Sequence, residues 1–164
     1  MIESIQKYSG GDRLGYKLFG ELLVVDFAKI IPMKSILNNA LYHPDGELWI
    51  LPLENYCKVG VTAFGQEFFR AIKSVEFPVV DEFYNQEDWM ASIETDKVDT
   101  DLYFPISGKV VSINQKLIIQ PYLINESPYE EGWILKLSEV KQQEIEGLMK
   151  ADGYQKFLDT FFKK

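Results

Sequence analysis

Between Trp89 and Gly108 the sequence specifies a β-hairpin built around one lysine. Strand-like apolar residues precede it (Trp89-Met90-Ala91 and Ile93) and follow it (Leu102-Tyr103-Phe104 and Ile106). The polar run from Glu94 to Asp101 between them predicts a turn with Lys97 at its centre. Glu94, Asp96, Asp99 and Asp101 ring that lysine, so it belongs to no basic patch for phosphate or nucleic acid. Taken alone it is an ordinary solvated turn lysine. The same setting suits a covalent attachment point, because paired strands fix the backbone while the long side chain stays free.

The rest of the chain limits what can surround such a hairpin. Short strand-like runs recur at Leu48–Leu51, Tyr56–Val61, Lys73–Phe77, Lys109–Ile113 and Trp133–Leu137, separated by Pro- and Gly-bearing turns. Thr62 is placed to cap a short helix holding Phe64, Phe68 and Phe69. The period changes at the C-terminus, where Ser138 predicts the N-cap of a helix over Glu139–Lys150. Asp152 predicts the cap of a second, with Tyr154, Phe157, Leu158, Phe161 and Phe162 on one face. The expected fold is therefore mainly β, with a short helix after Val61 and helices at the C-terminus. Residues 1–40 predict a loose start around Gly10-Gly11, one strand at Leu22–Val25 and a short helix after Ser35. They form an N-terminal extension without a legible role, ahead of a domain over 41–164.

Composition excludes several functions. The 164 residues carry a formal charge of −8, which disfavours nucleic acid and anionic membranes and favours partners with basic docking surfaces. No run approaches the ~20 apolar residues of a membrane span, and the start lacks a secretory pattern, so a cytoplasmic protein is expected. The single cysteine, Cys57, alternates with Val59 and Val61 and is expected to be a buried structural thiol. His43, the single histidine, stands beside the turn Pro44-Asp45-Gly46 without evident partners for a triad or a metal. It is expected to be structural or at the surface. The clusters Glu82/Glu87/Asp88 and Asp96/Asp99/Asp101 lack the spacing of a Ca²⁺ loop, and Gly10-Gly11 lacks that of a phosphate loop.

Three blocks carry a family resemblance: Val59-Gly-Val-Thr-Ala-Phe-Gly-Gln-Glu67, Glu94-Thr-Asp-Lys97 running into Asp101-Leu-Tyr-Phe-Pro-Ile-Ser-Gly108, and Leu123-Ile-Asn-Glu-Ser-Pro-Tyr-Glu-Glu-Gly-Trp133. In order and spacing they resemble the lipoyl-carrier H protein of the glycine cleavage system, from about Tyr42 to Phe161. The resemblance implies a barrel-sandwich hybrid fold and lipoate attached covalently to Lys97. It implies a non-catalytic carrier of an aminomethyl group, and Glu94 as a residue recognised by the lipoylating enzyme. Without it, Glu94 is an ordinary turn carboxylate. The implied partners are glycine decarboxylase, aminomethyltransferase, dihydrolipoyl dehydrogenase and a lipoate ligase or transferase. Pro128, Tyr129, Gly132 and Trp133 are expected to define the fold, with Trp133 as a core anchor, and Gly108 is expected to supply a positive-φ turn.

The chain also departs from the family. Phe69-Arg70-Ala71 stands where Leu-Gly-Asp is usual, Asp81 where a Gly is, and Glu47 where a His precedes the first Trp. Asp96 and Val98 replace small or apolar residues beside the lysine. With the extension before Tyr42, these changes also admit an H-like lipoate-binding protein of sulfur metabolism, working beside a heterodisulfide-reductase-like system, or a lipoyl relay. An unmodified interaction module and a biotin carrier fit less well, the first because Lys97 and Glu94 are retained.

Overall fold

The computed structural model describes residues 8–10, 13–18, 21–25, 36–66, 68–69 and 71–162. The chain divides into two compact units, Met1–Lys34 and Ser35–Lys164. In the first, β1 (Tyr8–Gly10), β2 (Arg13–Leu18) and β3 (Glu21–Val25) form an antiparallel meander in the order β1-β2-β3. The strand expected at Leu22–Val25 is the third of these. The first two replace the loose start, since Leu14, Tyr16 and Leu18 already alternate along β2 despite Gly15.

The second unit holds two antiparallel sheets. One has six strands: β4 (Leu41–Tyr42), β5 (Leu48–Pro52), β6 (Cys57–Val61), β8 (Phe83–Tyr84), β11 (Gly108–Ile113) and β12 (Trp133–Ser138), in the order β4-β5-β6-β12-β11-β8. The other orders β10 (Thr100–Tyr103), β9 (Trp89–Thr95) and β7 (Ile72–Glu76). A single core joins them, with Ile50, Val59, Val110 and Leu137 from the first sheet and Val75, Ala91, Ile93 and Leu102 from the second. Cys57 is buried within it, and burial raises its thiol pKa.

Thr62 caps α1 (Ala63–Gln66) as expected: its Oγ1 accepts from the Gly65 amide at 2.9 Å and donates to the Gly46 carbonyl at 2.6 Å. The helix is a single turn, with Phe68 and Phe69 in the turn that follows. Two further one-turn helices, α2 (Lys116–Ile119) and α3 (Leu123–Glu126), lie between β11 and β12. No helix follows Ser35 among the described residues. Residues 37–40 make a turn instead, held by Tyr42, whose hydroxyl accepts from the Leu37 amide and donates to the Leu37 carbonyl.

The C-terminal helices need correction. Ser138 is the last residue of β12, and Glu139 takes φ 51, which turns the chain out of the sheet. Only α4 (Gln142–Ile145) is helical in the stretch expected to run to Lys150. Met149 then exchanges both backbone hydrogen bonds with Tyr42 at 2.8 Å. The second helix, α5 (Ala151–Phe162), begins two residues earlier than a cap at Asp152 requires, so Asp152 lies in its first turn and does not cap it. Its expected apolar face holds: Tyr154 and Leu158 are buried, and Tyr154 stacks on Tyr42 with ring centroids 3.9 Å apart. The side chains of Phe161 and Phe162 lie outside the described residues.

Two further expectations are overturned. Gly108 has no positive φ; it opens β11, where a Cβ would lie 2.9 Å from the Ser138 carbonyl oxygen, so close strand packing is what requires glycine. The core tryptophan is Trp49, fully buried, with Nε1 donating to the carbonyls of Val61 and Pro128. Its indole lies over Gly60, where a Cβ would come within 2.4 Å of the ring. Trp133 pairs with Gly60 and is only half-buried. Tyr129 packs against Trp49 and its hydroxyl accepts from the Ala63 amide, and the Gly132 amide donates to the Ser127 carbonyl.

Candidate functional site

The hairpin expected around Lys97 is formed by β9 and β10. Thr100 pairs with Ile93, Asp101 with Ser92 and Leu102 with Ala91, leaving Asp96 to Asp99 to make the turn. The strands form here because Ala91, Ile93 and Leu102 alternate inward to the core. At the tip, Thr95 closes the turn on itself. Its Oγ1 accepts from the amides of Lys97 (3.3 Å) and Val98 (3.1 Å) and donates to the Val98 carbonyl (2.7 Å). A threonine two residues before the lysine thus holds the lysine's own backbone.

Three of the four acidic residues around the lysine are occupied elsewhere. The Glu94 carboxylate accepts from Ser74 Oγ of β7 at 2.6 Å. Asp96 pairs with Lys73 of the same strand at 2.9 Å, and that pairing raises the Lys73 pKa. Asp101 accepts from Ser92 Oγ at 2.5 Å and Trp89 Nε1 at 3.3 Å. Asp99 is exposed. Lys97 is exposed too, and among the described residues no carboxylate lies within ion-pair distance of its ammonium. The lysine is presented, and Glu94, Asp96 and Asp101 beside it are tied down by other groups.

Sequence reasoning placed Lys97, Glu94, Asp96, Asp99 and Asp101 together, and so does the structure. It missed Lys73 and Ser74, which only the β7–β9 register brings beside Asp96 and Glu94. It also missed the turn-closing part of Thr95, whose signal was a hydroxyl residue at the end of a strand. The base of the hairpin is fixed from far along the chain: Glu144 of α4 accepts from the amide and hydroxyl of Ser107, at 2.5 and 2.8 Å.

His43 and Glu47 form a separate group on the β4–β5 connection. His43 Nδ1 lies 2.8 Å from Asp45, and Nε2 lies 3.9 Å from Glu87. Burial works to lower the His43 pKa, but the hydrogen bond and charge of Asp45, with Glu87 and Glu47, prevail and raise it. Among the described residues no three His, Cys, Asp or Glu side chains gather as metal ligands. No described helix is long and apolar enough to cross a membrane.

The model of the glycine cleavage H-protein family matches residues 41–161. This chain belongs to that family. It is 39% identical to the glycine cleavage system H protein of Listeria monocytogenes serotype 4b (strain CLIP80459), over 76% of this chain and 99% of the relative. Identity to the H protein of Methylacidiphilum infernorum is 36%, over 76% and 96%. Among solved structures, a glycine cleavage system H protein from Mycobacterium marinum superposes with a TM-score of 0.65 at 25% identity, covering 75% of this chain and 98% of that one. The fold is accordingly the barrel-sandwich hybrid of this family, two open antiparallel sheets with a few short helices. The family is a carrier subunit of the glycine cleavage system and is known to carry lipoate.

Proposed function

We propose that the protein is a non-catalytic lipoyl carrier of the glycine cleavage system, with lipoate joined by an amide bond to Lys97 Nζ. One observation carries this reading: an exposed lysine, free of ion pairs among the described residues, stands on a turn whose backbone Thr95 holds. Acylation removes the lysine's charge, and here it breaks no salt bridge, because Glu94, Asp96 and Asp101 have other partners. Lys97 would hold the group, which would supply a redox-active dithiolane suited to carrying an aminomethyl unit among glycine decarboxylase, aminomethyltransferase and dihydrolipoyl dehydrogenase. The chain itself positions the arm, and tethering raises its effective concentration at each partner. Glu94, exposed and oriented by Ser74, is the contact that the lipoate ligase or transferase recognises.

In this reading residues 41–164 are the carrier domain, residues 1–40 precede it as an extension, and the protein works in the cytoplasm without nucleic acid or membrane. The names of the relatives support the glycine cleavage partners over those of sulfur metabolism. The test is intact-mass analysis after co-expression with a lipoate ligase and lipoate. One added lipoyl group is expected, absent in Lys97→Arg and acquired more slowly in Glu94→Gln. Modification that survives Lys97→Arg overturns the assignment.

A further inference from the structure

We propose that the outer face of the six-stranded sheet around Lys58 and Lys136 is a docking surface for an acidic segment of a partner polypeptide. The surface is distinct from the Lys97 hairpin, and the reading of that hairpin does not bear on it. Lys58 of β6 and Lys136 of β12 stand directly opposite each other in the antiparallel register. A register shift between Trp133 and Leu135 brings Trp133 onto the same face, opposite Gly60. The Lys136 ammonium lies 4.6 Å from the Tyr56 ring centre and 5.0 Å from that of Trp133; the Lys58 ammonium lies 5.8 Å from the Trp133 ring.

Like charges directly opposed across a ladder are unfavourable, and sheets ordinarily avoid or neutralise them. This chain has 25 Asp and Glu residues available. Lys73, Lys109, Lys116 and Lys141 each have a carboxylate within 4.0 Å. Lys58 and Lys136 have none among the described residues, and the flanking members of their row, Leu51 and Ser112, are uncharged. The aromatic rings steady the two ammoniums without cancelling their charge. The result is a fixed cationic pair with an apolar floor on a protein of net charge −8. Adjacent strands lie about 4.8 Å apart, a spacing that neighbouring carboxylates of one polypeptide can bridge. Nucleic acid would meet repulsion from the acidic remainder of the surface.

The test is a titration of ¹⁵N-labelled full chain with an octaglutamate peptide at low salt, followed by amide and indole chemical shifts. Shifts confined to residues 56–58, 133–136 and the Trp133 indole are expected, and they should collapse in 0.3 M salt. Octaglutamine should leave them unmoved. The Kd should rise about threefold in Lys136→Gln and about tenfold in Lys58→Gln/Lys136→Gln. Either single variant gives the same readout if the double variant fails to fold. Three outcomes overturn the proposal: no shifts on this face at millimolar peptide, an unchanged Kd in the variants, or equal shifts from inorganic phosphate. A low-salt dimer seen by ultracentrifugation and abolished by the double substitution would assign the face to a second copy, and also overturns it.

Discussion

Gly46 shows how much one backbone angle can decide in this fold. It is held at φ +78 in the turn between β4 and β5, and its carbonyl accepts the Thr62 hydroxyl that begins α1. A Cβ at this position would fall 2.1 Å from the Phe157 ring. Gly46→Ala therefore meets a left-handed backbone penalty and must also displace an aromatic of α5. The expected loss is about 2–4 kcal/mol in urea unfolding. Gly147→Ala is the control, since its Cβ would meet only the Glu144 carbonyl oxygen at 3.5 Å. It should stay within about 0.5 kcal/mol of the parent. Equal losses in the two variants would contradict this account.

Among the elements, α4 is the shortest in proportion to what depends on it. Its Glu144 carboxylate takes two hydrogen bonds from Ser107, a buried residue one step before β11. Glu144→Ala strands both donors and should cost about 2–3 kcal/mol, while Glu144→Gln keeps one good acceptor and should cost about 1 kcal/mol. Urea unfolding of the two variants tests this ordering, and a reversed order would refute the clamp. The same helix shows where sequence legibility ends. Strands such as Cys57–Val61 and Trp133–Ser138 fall within a residue of their expected positions, because period-2 burial is written locally. The helix expected over Glu139–Lys150 fails because its residues answer to distant ones: Glu144 to Ser107, and Met149 to Tyr42. The site divides in the same way. Lys97 and its acidic neighbours were legible in one hairpin, whereas Lys73 and Ser74 needed the register of a third strand.

For the whole molecule, the group around Glu47 sets a pH dependence. Burial, followed by the charge of Asp45, pushes the Glu47 pKa up from 4.5 to about 7. The folded state thus binds a proton there that the unfolded chain has released between these values, so stability falls as pH rises through the window. His43, raised from 6.5, acts in the same direction: its contribution is full below 6.5 and is lost as pH climbs through its folded value. Burial would raise Asp45, but its hydrogen bonds from His43 and the Glu47 amide lower it, so it matters only below about pH 4. Stability should be about 2 kcal/mol greater near pH 5.5 than at pH 8. Glu47→Gln should flatten most of that slope, and a slope unchanged in this variant would refute the assignment. The sheet order has a separate consequence for how the chain is made. β6, already paired with β5, finds its second neighbour only in β12, and Tyr42 is completed only by Met149 and Tyr154. On the ribosome the first half therefore emerges with a bare edge, waiting for the last strand and helix to be translated. The domain closes only once β12 and α5 have been translated, so a product stalled or truncated before them would leave that edge open to other chains.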